Sequence, residues 1–197
     1  MNGGSTAVSS PSWKGPLNET LSLPTRRQVM KIKIRTTTAM IFFAALFMAC
    51  APVWVLEISI GKEVLLSRPT PVGFPFTTRY IHSVEKTPVE DDYRVVSGRI
   101  WAWEERVVSH NAGLPVVTPR NGRLISDGEW FRFRGGRSSW RKYYYRVGDD
   151  SIGRNTLQLP GELPTIHELF RTYPSKRLEF FIVARSLWEA ISKARHL

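Results

Sequence analysis

A histidine, a serine and a glutamate stand close together in the stretch RYIHSVEKTP, which begins at Arg79. A histidine beside a carboxylate, here His82 and Glu85, can bind an anionic solute or dock a partner protein. Alternation along a strand places the neighbours His82 and Ser83 on opposite faces, so they cannot act as a nucleophile and its base unless the strand bends or ends there. The pattern therefore does not indicate a nucleophile with its general base.

The same residues also have a purely structural interpretation. Ser83 and Thr87 would bond the backbone of a turn, and His82 would bond a neighbouring strand. Pro88 has no N–H group, so Thr87-Pro88 is expected to end the strand. From the residues alone, the structural interpretation is favoured over a binding site.

Two pairs of adjacent acids, Asp91-Asp92 and Glu104-Glu105, are the other residues that could do chemistry. Neighbours on a strand point to opposite faces, so neither pair can place two carboxylates around one substrate bond. We expect no catalysis from either pair.

The histidines and the cysteine do not form a metal-binding pattern. His110, His167 and His196 are scattered without ligand spacing, and Cys50 is the single cysteine. We therefore expect no metal site, no cofactor and no intrachain disulfide.

Aromatic and basic residues alternate in the segment WFRFRGGRSSWRKYYYR, residues 130–146. On a cytoplasmic protein this composition would indicate a surface for single-stranded nucleic acid. The alternative is two strands joined at Gly135-Gly136, with the aromatic side chains inside and the arginines outside. The second interpretation agrees with a location of this segment outside the cell membrane, and we expect no nucleic-acid partner.

An uncharged segment near the N-terminus decides where these residues lie. Residues 36–56 carry no charge, and the part AMIFFAALFMACAPVWVL is almost wholly apolar. A helix of this length spans most of the roughly 30 Å hydrocarbon layer. The segment therefore predicts a transmembrane signal anchor, although the sequence leaves its cleavage open and also leaves Met30 as a possible start.

Basic residues before this segment set the predicted orientation. The chain has a formal net charge of +11, and a basic cluster precedes the apolar run, at Arg26, Arg27, Lys31, Lys33 and Arg35. The positive-inside rule then keeps residues 1–35 in the cytoplasm as a flexible basic tail. Residues 57–197 are expected outside the cell membrane as one domain.

Short runs of β-branched and aromatic residues predict that this domain is mainly β, a single antiparallel sandwich or barrel-like fold. The predicted strands are Val53–Ile60, Glu63–Ser67, Phe76–Ser83, Tyr93–Gly98, Ile100–Ser109, Leu114–Thr118, Arg123–Ser126, Glu129–Arg134, Trp140–Val147, Thr156–Leu159 and Leu178–Ala184. The capping-box spacing of Thr165 and Glu168 predicts a helix over Thr165–Arg171, and a second helix is predicted from Leu187.

Three motifs resemble the family known as domain of unknown function 1850. They are YIHSVEKTPVEDDYRV from Tyr80, SHNAGLP from Ser109 and DGEW from Asp127. Matching positions include Tyr80, His82, Ser83, Val84, Glu85, Val89, Asp92, Tyr93, Ser109, Ala112, Gly113, Leu114, Pro115, Gly128 and Trp130. Asn111 departs from the usual glycine, but both residues can adopt positive φ.

The resemblance implies a role beside TRAP-type solute transporters of the TAXI class, because such domains are often encoded next to them. Within it, the polar residues are expected to meet at one end of the sheet as a cluster for a ligand or partner, formed by His82, Ser83, Glu85, Ser109, Gly113 and Trp130. We therefore expect an accessory domain without enzymatic activity, whose candidate partners are a TRAP receptor or permease. The alternatives are a membrane-anchored structural or envelope-binding domain and, for a cytoplasmic protein, a nucleic-acid-binding domain.

Overall fold

The computed structural model describes residues 26–109, 117–118, 120–135, 138–161 and 165–194. The chain divides into two compact units, Met1–Ala44 and Ala45–Leu197. The strands in chain order are β1 Pro52–Ile60, β2 Glu63–Pro69, β3 Phe74–Ile81, β4 Pro88–Val96, β5 Arg99–Val107, β6 Gly122–Ser126, β7 Phe131–Gly135, β8 Ser139–Trp140, β9 Lys142–Arg146, β10 Gly153–Leu159, β11 Thr165–His167 and β12 Arg177–Ser186. The helices are α1 Arg26–Cys50, α2 Leu169–Thr172 and α3 Leu187–Ser192.

The strands form two antiparallel sheets. The smaller sheet has the order β2-β1-β12-β9, and the larger has the order β11-β10-β3-β4-β5-β7-β6, with β8 paired to β5. The mainly β, antiparallel prediction is confirmed. Period-2 alternation produces this architecture because each strand has one apolar face to bury.

The main core draws side chains from both sheets and from α2. Its largest fully buried members include Phe76 of β3, Leu56 of β1 and Phe180 of β12. Rings are stacked through this layer, with centroids 4.8 Å apart for Phe76 and Tyr93 and 5.8 Å apart for Phe76 and Phe180. A second, smaller cluster of Val89, Val107 and Phe133 lies on the larger sheet alone.

Helix α1 ends at Cys50, before the predicted end of the anchor at Leu56. Residues 52–56 belong to β1 instead, where Val55 and Leu56 are fully buried. Among the described residues, no helix combines the length and the apolar character that crossing a bilayer requires.

The structure corrects several predicted elements. The helix predicted over Thr165–Arg171 is wrong, because Thr165–His167 forms the edge strand β11 and the short helix starts only at Leu169. Glu168 stands at the N-cap of this helix without a side-chain hydrogen bond, so no capping box forms. Of the strand predicted over Leu114–Thr118, residues 114–116 lie outside the described ranges, and Val117 and Thr118 are not in a strand.

The predicted strand Trp140–Val147 is two strands in different sheets. The chain leaves the larger sheet after Trp140, which pairs with Ile100, and enters the smaller sheet at Lys142, which pairs with Phe181. Strands β7 and β9 therefore do not pair as the predicted hairpin, since they lie in different sheets.

Candidate functional site

The turn that follows β3 places His82 at its first position. The His82 N–H donates to the Thr87 carbonyl oxygen at 2.8 Å, and the Lys86 N–H donates to the His82 carbonyl oxygen at 3.0 Å. The Glu85 N–H donates to His82 Nδ1 at 3.2 Å. In the neutral imidazole the proton therefore lies on Nε2, which remains a donor.

This turn differs from both sequence interpretations. Strand β3 ends at Ile81, so the alternation predicted through Ser83 and Val84 does not apply. Proline does not stop the pairing either, since β4 begins at Pro88, opposite Ile81. His82 bonds its own turn, and the buried Thr87 hydroxyl has no hydrogen-bond partner within the described residues.

Glu85 and Ser109 meet at the same end of the larger sheet. The Ser109 hydroxyl donates to Glu85 Oε2 at 3.1 Å. This contact follows from register, because Val89 pairs with Val107 and the chain on either side continues past the same sheet end. This hydrogen bond thus joins two residues that are 24 positions apart in the sequence.

The two remaining predicted site residues are Gly113 and Trp130. Gly113 lies outside the described residues. Trp130 closes the loop between β6 and β7, where its N–H donates to Asp127 Oδ1 at 3.0 Å. None of the described hydrogen bonds joins Trp130 to His82, Ser83, Glu85 or Ser109.

A cleft of about 380 Å³ opens beside the turn. His82 and Ser83 form one wall, and Arg146 at the end of β9 lies on the other. Backbone and side-chain atoms of the β9–β10 connection complete the lining at Val147, Gly148, Ile152, Gly153 and Asn155, together with Tyr80 and Ile81 of β3. A Gly-Asp pair such as Gly148-Asp149 is typical of a turn, but nothing in the sequence connects it with His82.

Buried hydrogen bonds hold the far wall in place. Asn155 is 5% exposed, accepts from the Gly148 N–H at 2.6 Å and donates to the Tyr145 hydroxyl at 2.7 Å. A Cβ on Gly148 would lie 1.9 Å from the Ile152 carbonyl oxygen, and one on Gly153 would lie 2.7 Å from Asn155 Oδ1. Both positions therefore require glycine.

Asp149 closes the loop between these two glycines. Its Oδ1 accepts from the Ser151 hydroxyl at 2.6 Å, the Ser151 N–H at 2.8 Å and the Ile152 N–H at 2.9 Å. These bonds, led by the Ser151 hydroxyl, lower the pKa of Asp149 below its ordinary value. Because its carboxylate binds its own loop, Asp149 stabilises the wall.

The cleft lining offers hydrogen-bond donors and a cation. Arg146 is exposed and supplies a guanidinium, His82 supplies Nε2–H and Ser83 supplies a hydroxyl. No aspartate or glutamate is among the described residues that line it. This chemistry fits an anionic group such as a carboxylate or a phosphate, either of which arginine can bind through paired donors.

The adjacent acids meet across strands, which their spacing in sequence does not reveal. Strand register places Asp92 opposite Glu104 and Asp91 opposite Glu105. This register depends on a bulge at Trp103, since Tyr93 pairs with Ala102 while Asp92 pairs with Glu104. One acid pair lies on each face of the sheet.

Glu104 is the centre of an ion-pair network on the outer face. It is 1% exposed and accepts from Arg132 at 2.9 Å and from Arg106 at 3.3 Å, and also binds Arg134. Burial favours the protonated carboxyl, but the hydrogen bonds and charges of Arg134 and Arg132 outweigh it and lower the pKa of Glu104.

Arg106 extends the network to the acids of β4. It lies 2.9 Å from Glu90 and 2.8 Å from Asp92, and Thr77 donates to Asp92 at 2.6 Å. Arg132 and Arg134 are therefore neutralised by carboxylates and do not form the open basic face that the 130–146 segment suggested.

The inner face carries a second polar layer, which sequence reasoning missed. Thr78, Asp91 and Glu105 stand in register across three strands, and Glu105 is 8% exposed. The Tyr93 hydroxyl donates to that of Tyr143 at 3.3 Å. Burial, followed by the charge of Asp91, raises the pKa of Tyr93 well above its ordinary value, so this tyrosine remains protonated. No group of three possible metal ligands occurs within the ranges that the structure describes.

Residues 76–164 match the model of a family described as a domain of unknown function, DUF1850. Comparisons with curated proteins and with solved structures gave no match. The matched segment contains both walls of the cleft, from His82 to Asn155, as well as the Glu85–Ser109 contact. The resemblance to this family that the three sequence motifs indicated is therefore confirmed over residues 76–164.

Proposed function

We propose that this protein is a membrane-anchored, extracytoplasmic accessory domain of a TRAP-type solute transport system of the TAXI class, acting by binding and without catalysis. One observation carries the binding role: a cleft with Arg146, His82 and Ser83 opens in the β unit, which comprises β1–β12, α2 and α3, at the end remote from Ala51. Its ligand is a carboxylate, either on a solute or on the surface of a receptor protein.

Strand directions support the placement of the cleft. The Thr70 N–H donates to the Trp54 carbonyl oxygen at 2.8 Å, so β2 ends where β1 begins, just after α1. Strand β3 starts at that same end and runs for 8 residues to Ile81. At 3.3 Å per residue this distance is about 25 Å. The cleft therefore faces away from the point at which the chain enters the β unit.

The side chains of helix α1 support the anchor. Large apolar residues between positions 40 and 48 are 50–81% exposed, namely Met40, Ile41, Phe42, Phe43, Leu46, Phe47 and Met48. Exposed apolar side chains around a helix need lipid or a protein core to cover them. The basic cluster from Arg26 to Arg35 favours a cytoplasmic N-terminus and an external β unit.

The transporter assignment rests on the association of the family with TAXI-class systems. Its test is co-purification of a TRAP receptor or permease with the full chain. We expect His82→Ala and Arg146→Ala to reduce recovery of that partner, with Arg123→Ala as the matched control because Arg123 is exposed on β6, away from the cleft. Full recovery with both cleft variants would remove the cleft from the proposal.

Topology has its own test. Protease added to intact cells is expected to digest the β unit and leave the N-terminal segment protected. Protection of the β unit until the cells are lysed would contradict the external location and would favour a cytoplasmic role, including nucleic-acid binding.

A further inference from the structure

Helix α3 is held against the start of the β unit. The Leu187 N–H donates to the Ala51 carbonyl oxygen at 2.9 Å, immediately after α1 ends at Cys50. Ser186 caps α3, since its hydroxyl accepts from the Glu189 N–H at 3.2 Å. These bonds fix α3 beside the residue at which the chain leaves the apolar helix.

The outer side of α3 is apolar and exposed. Trp188 is 70% exposed and Ile191 is 61% exposed, whereas Ala190 is fully buried. Residues three apart lie on one face of a helix, so Trp188 and Ile191 form a single ridge. Trp54 lies near the start of β1, at the same end of the β unit as α3, and is 40% exposed.

Charges beside the ridge are largely paired within the protein. Glu189 lies 3.0 Å from Arg185 and 2.7 Å from Lys193, and Arg185 lies 2.6 Å from Glu57. The hydrogen bond from Lys193 is the main reason that the pKa of Glu189 is lowered. A ridge next to compensated charges can approach an apolar phase without burying a lone ion.

We infer that Trp188 and Ile191 insert into the headgroup region of the bilayer that anchors the chain. This inference rests on the proposed membrane location. Tryptophan suits that region because its ring is apolar and its N–H can still reach water or headgroups.

Area favours lipid over a protein partner as the occupant. A stable protein interface needs about 800 Å² from each partner, which two side chains do not provide. Beside a membrane anchor the ridge has a high effective concentration at the lipid surface, so a small apolar contact is enough. The hydrogen bond between Leu187 and Ala51 supplies this proximity.

The test uses the full chain reconstituted into vesicles of phosphatidylethanolamine and phosphatidylglycerol. With Cys50→Ser removing the single cysteine, Ile191→Cys carries an environment-sensitive fluorophore. Ile152→Cys is the matched control, because Ile152 is 57% exposed and lies in the β9–β10 connection at the opposite end. We expect blue-shifted emission and quenching by doxyl-labelled lipid at position 191, and neither at position 152.

Three other outcomes overturn the inference in distinguishable ways. Vesicles that float without the protein contradict the membrane location and the inference together. Protein that floats while position 191 is quenched by iodide and not by doxyl lipid contradicts the inference alone. Protection of position 191 from both quenchers identifies a protein surface as the occupant, and so also contradicts insertion into lipid.

Discussion

Glu104 is a buried carboxylate surrounded by three guanidinium groups. Its partners Arg132 and Arg134 come from β7, and Arg106 comes from its own strand. A buried ion pair adds little over an apolar replacement, but removal of one member leaves the others uncompensated. The network is therefore sensitive to single substitutions, although its net contribution to stability is small.

Replacement of Glu104 should expose this sensitivity. Glu104→Gln removes the charge that Arg132 and Arg134 share, and we expect the free energy of unfolding to fall by about 3–5 kcal/mol. Urea denaturation measures the change. Glu129→Gln is the control, because Glu129 is an exposed acid in the loop before β7, and we expect almost no effect from it. Equal midpoints for the two variants would contradict this role of Glu104.

Because Glu104 has a lowered pKa, we expect the stability of the folded protein to depend on pH in the acid range. Its pKa in the folded protein lies below the ordinary value of 4.5. The unfolded chain therefore takes up the proton first, and the contribution of Glu104 is complete above about pH 4.5 and decreases as the pH falls toward the folded pKa. Thermal unfolding between pH 6 and pH 3 should show a steeper loss in the natural protein than in Glu104→Gln. Parallel curves would contradict the linkage.

At the scale of elements, the hairpin of β4 and β5 depends on one glycine. Ser97 and Gly98 form its two-residue turn with φ of 50° and 70°, the conformation of a type I′ turn. A Cβ on Gly98 would also lie 2.8 Å from the ring of Trp54. The turn therefore sets the register of β4 against β5 as far as the bulge at Trp103, and it places Gly98 against Trp54 of β1.

Two glycine substitutions separate strain from crowding at this turn. Gly98→Ala combines positive φ with a clash against Trp54, whereas Gly73→Ala has φ of 80° and open space around its Cβ. Each should lose about 1–3 kcal/mol from backbone strain, and Gly98→Ala should lose more because the indole must move. Urea midpoints give the two losses, and a change in tryptophan emission for Gly98→Ala but not for Gly73→Ala reports the displacement of Trp54. A larger loss for Gly73→Ala would contradict the packing argument.

At the scale of the whole molecule, the β unit contains its own core. The buried apolar residues that the structure describes run from Val55 to Ala190. Both sheets consist of residues from Pro52 onward, and the bond from Leu187 needs only the Ala51 carbonyl oxygen. The core therefore does not depend on residues before Ala51.

A chain that begins at Ala51 should consequently fold by itself. We expect cooperative urea unfolding, a β-type circular dichroism spectrum and near-ultraviolet signals from the stacked rings of Phe76 and Tyr93. A non-cooperative transition with loss of the near-ultraviolet signals would show that the preceding helix is part of the folding unit.

Local patterns in the sequence determined the mainly β class and most strand positions, because alternation and turn residues act over a few neighbours. The first part of β4, Pro88–Asp92, escaped prediction because an acidic run with a proline is unfavourable in an isolated strand. Tertiary structure reverses this preference, since Arg79 and Arg106 pair with Glu90 across the sheet. In the same way, edge pairing with β10 makes Thr165–His167 a strand.

The polar stretch around His82 was visible in the sequence, and so was the end of a strand near it. The sequence could not show that Arg146 and Asn155 form the opposite wall, because residues more than sixty positions apart meet only when β3 and β10 pair. The cross-strand acid pairs depend on the bulge at Trp103 in the same way. Short-range periodicity thus determined the elements, whereas register and the change of sheet at Arg141, which are long-range properties, decided which side chains meet.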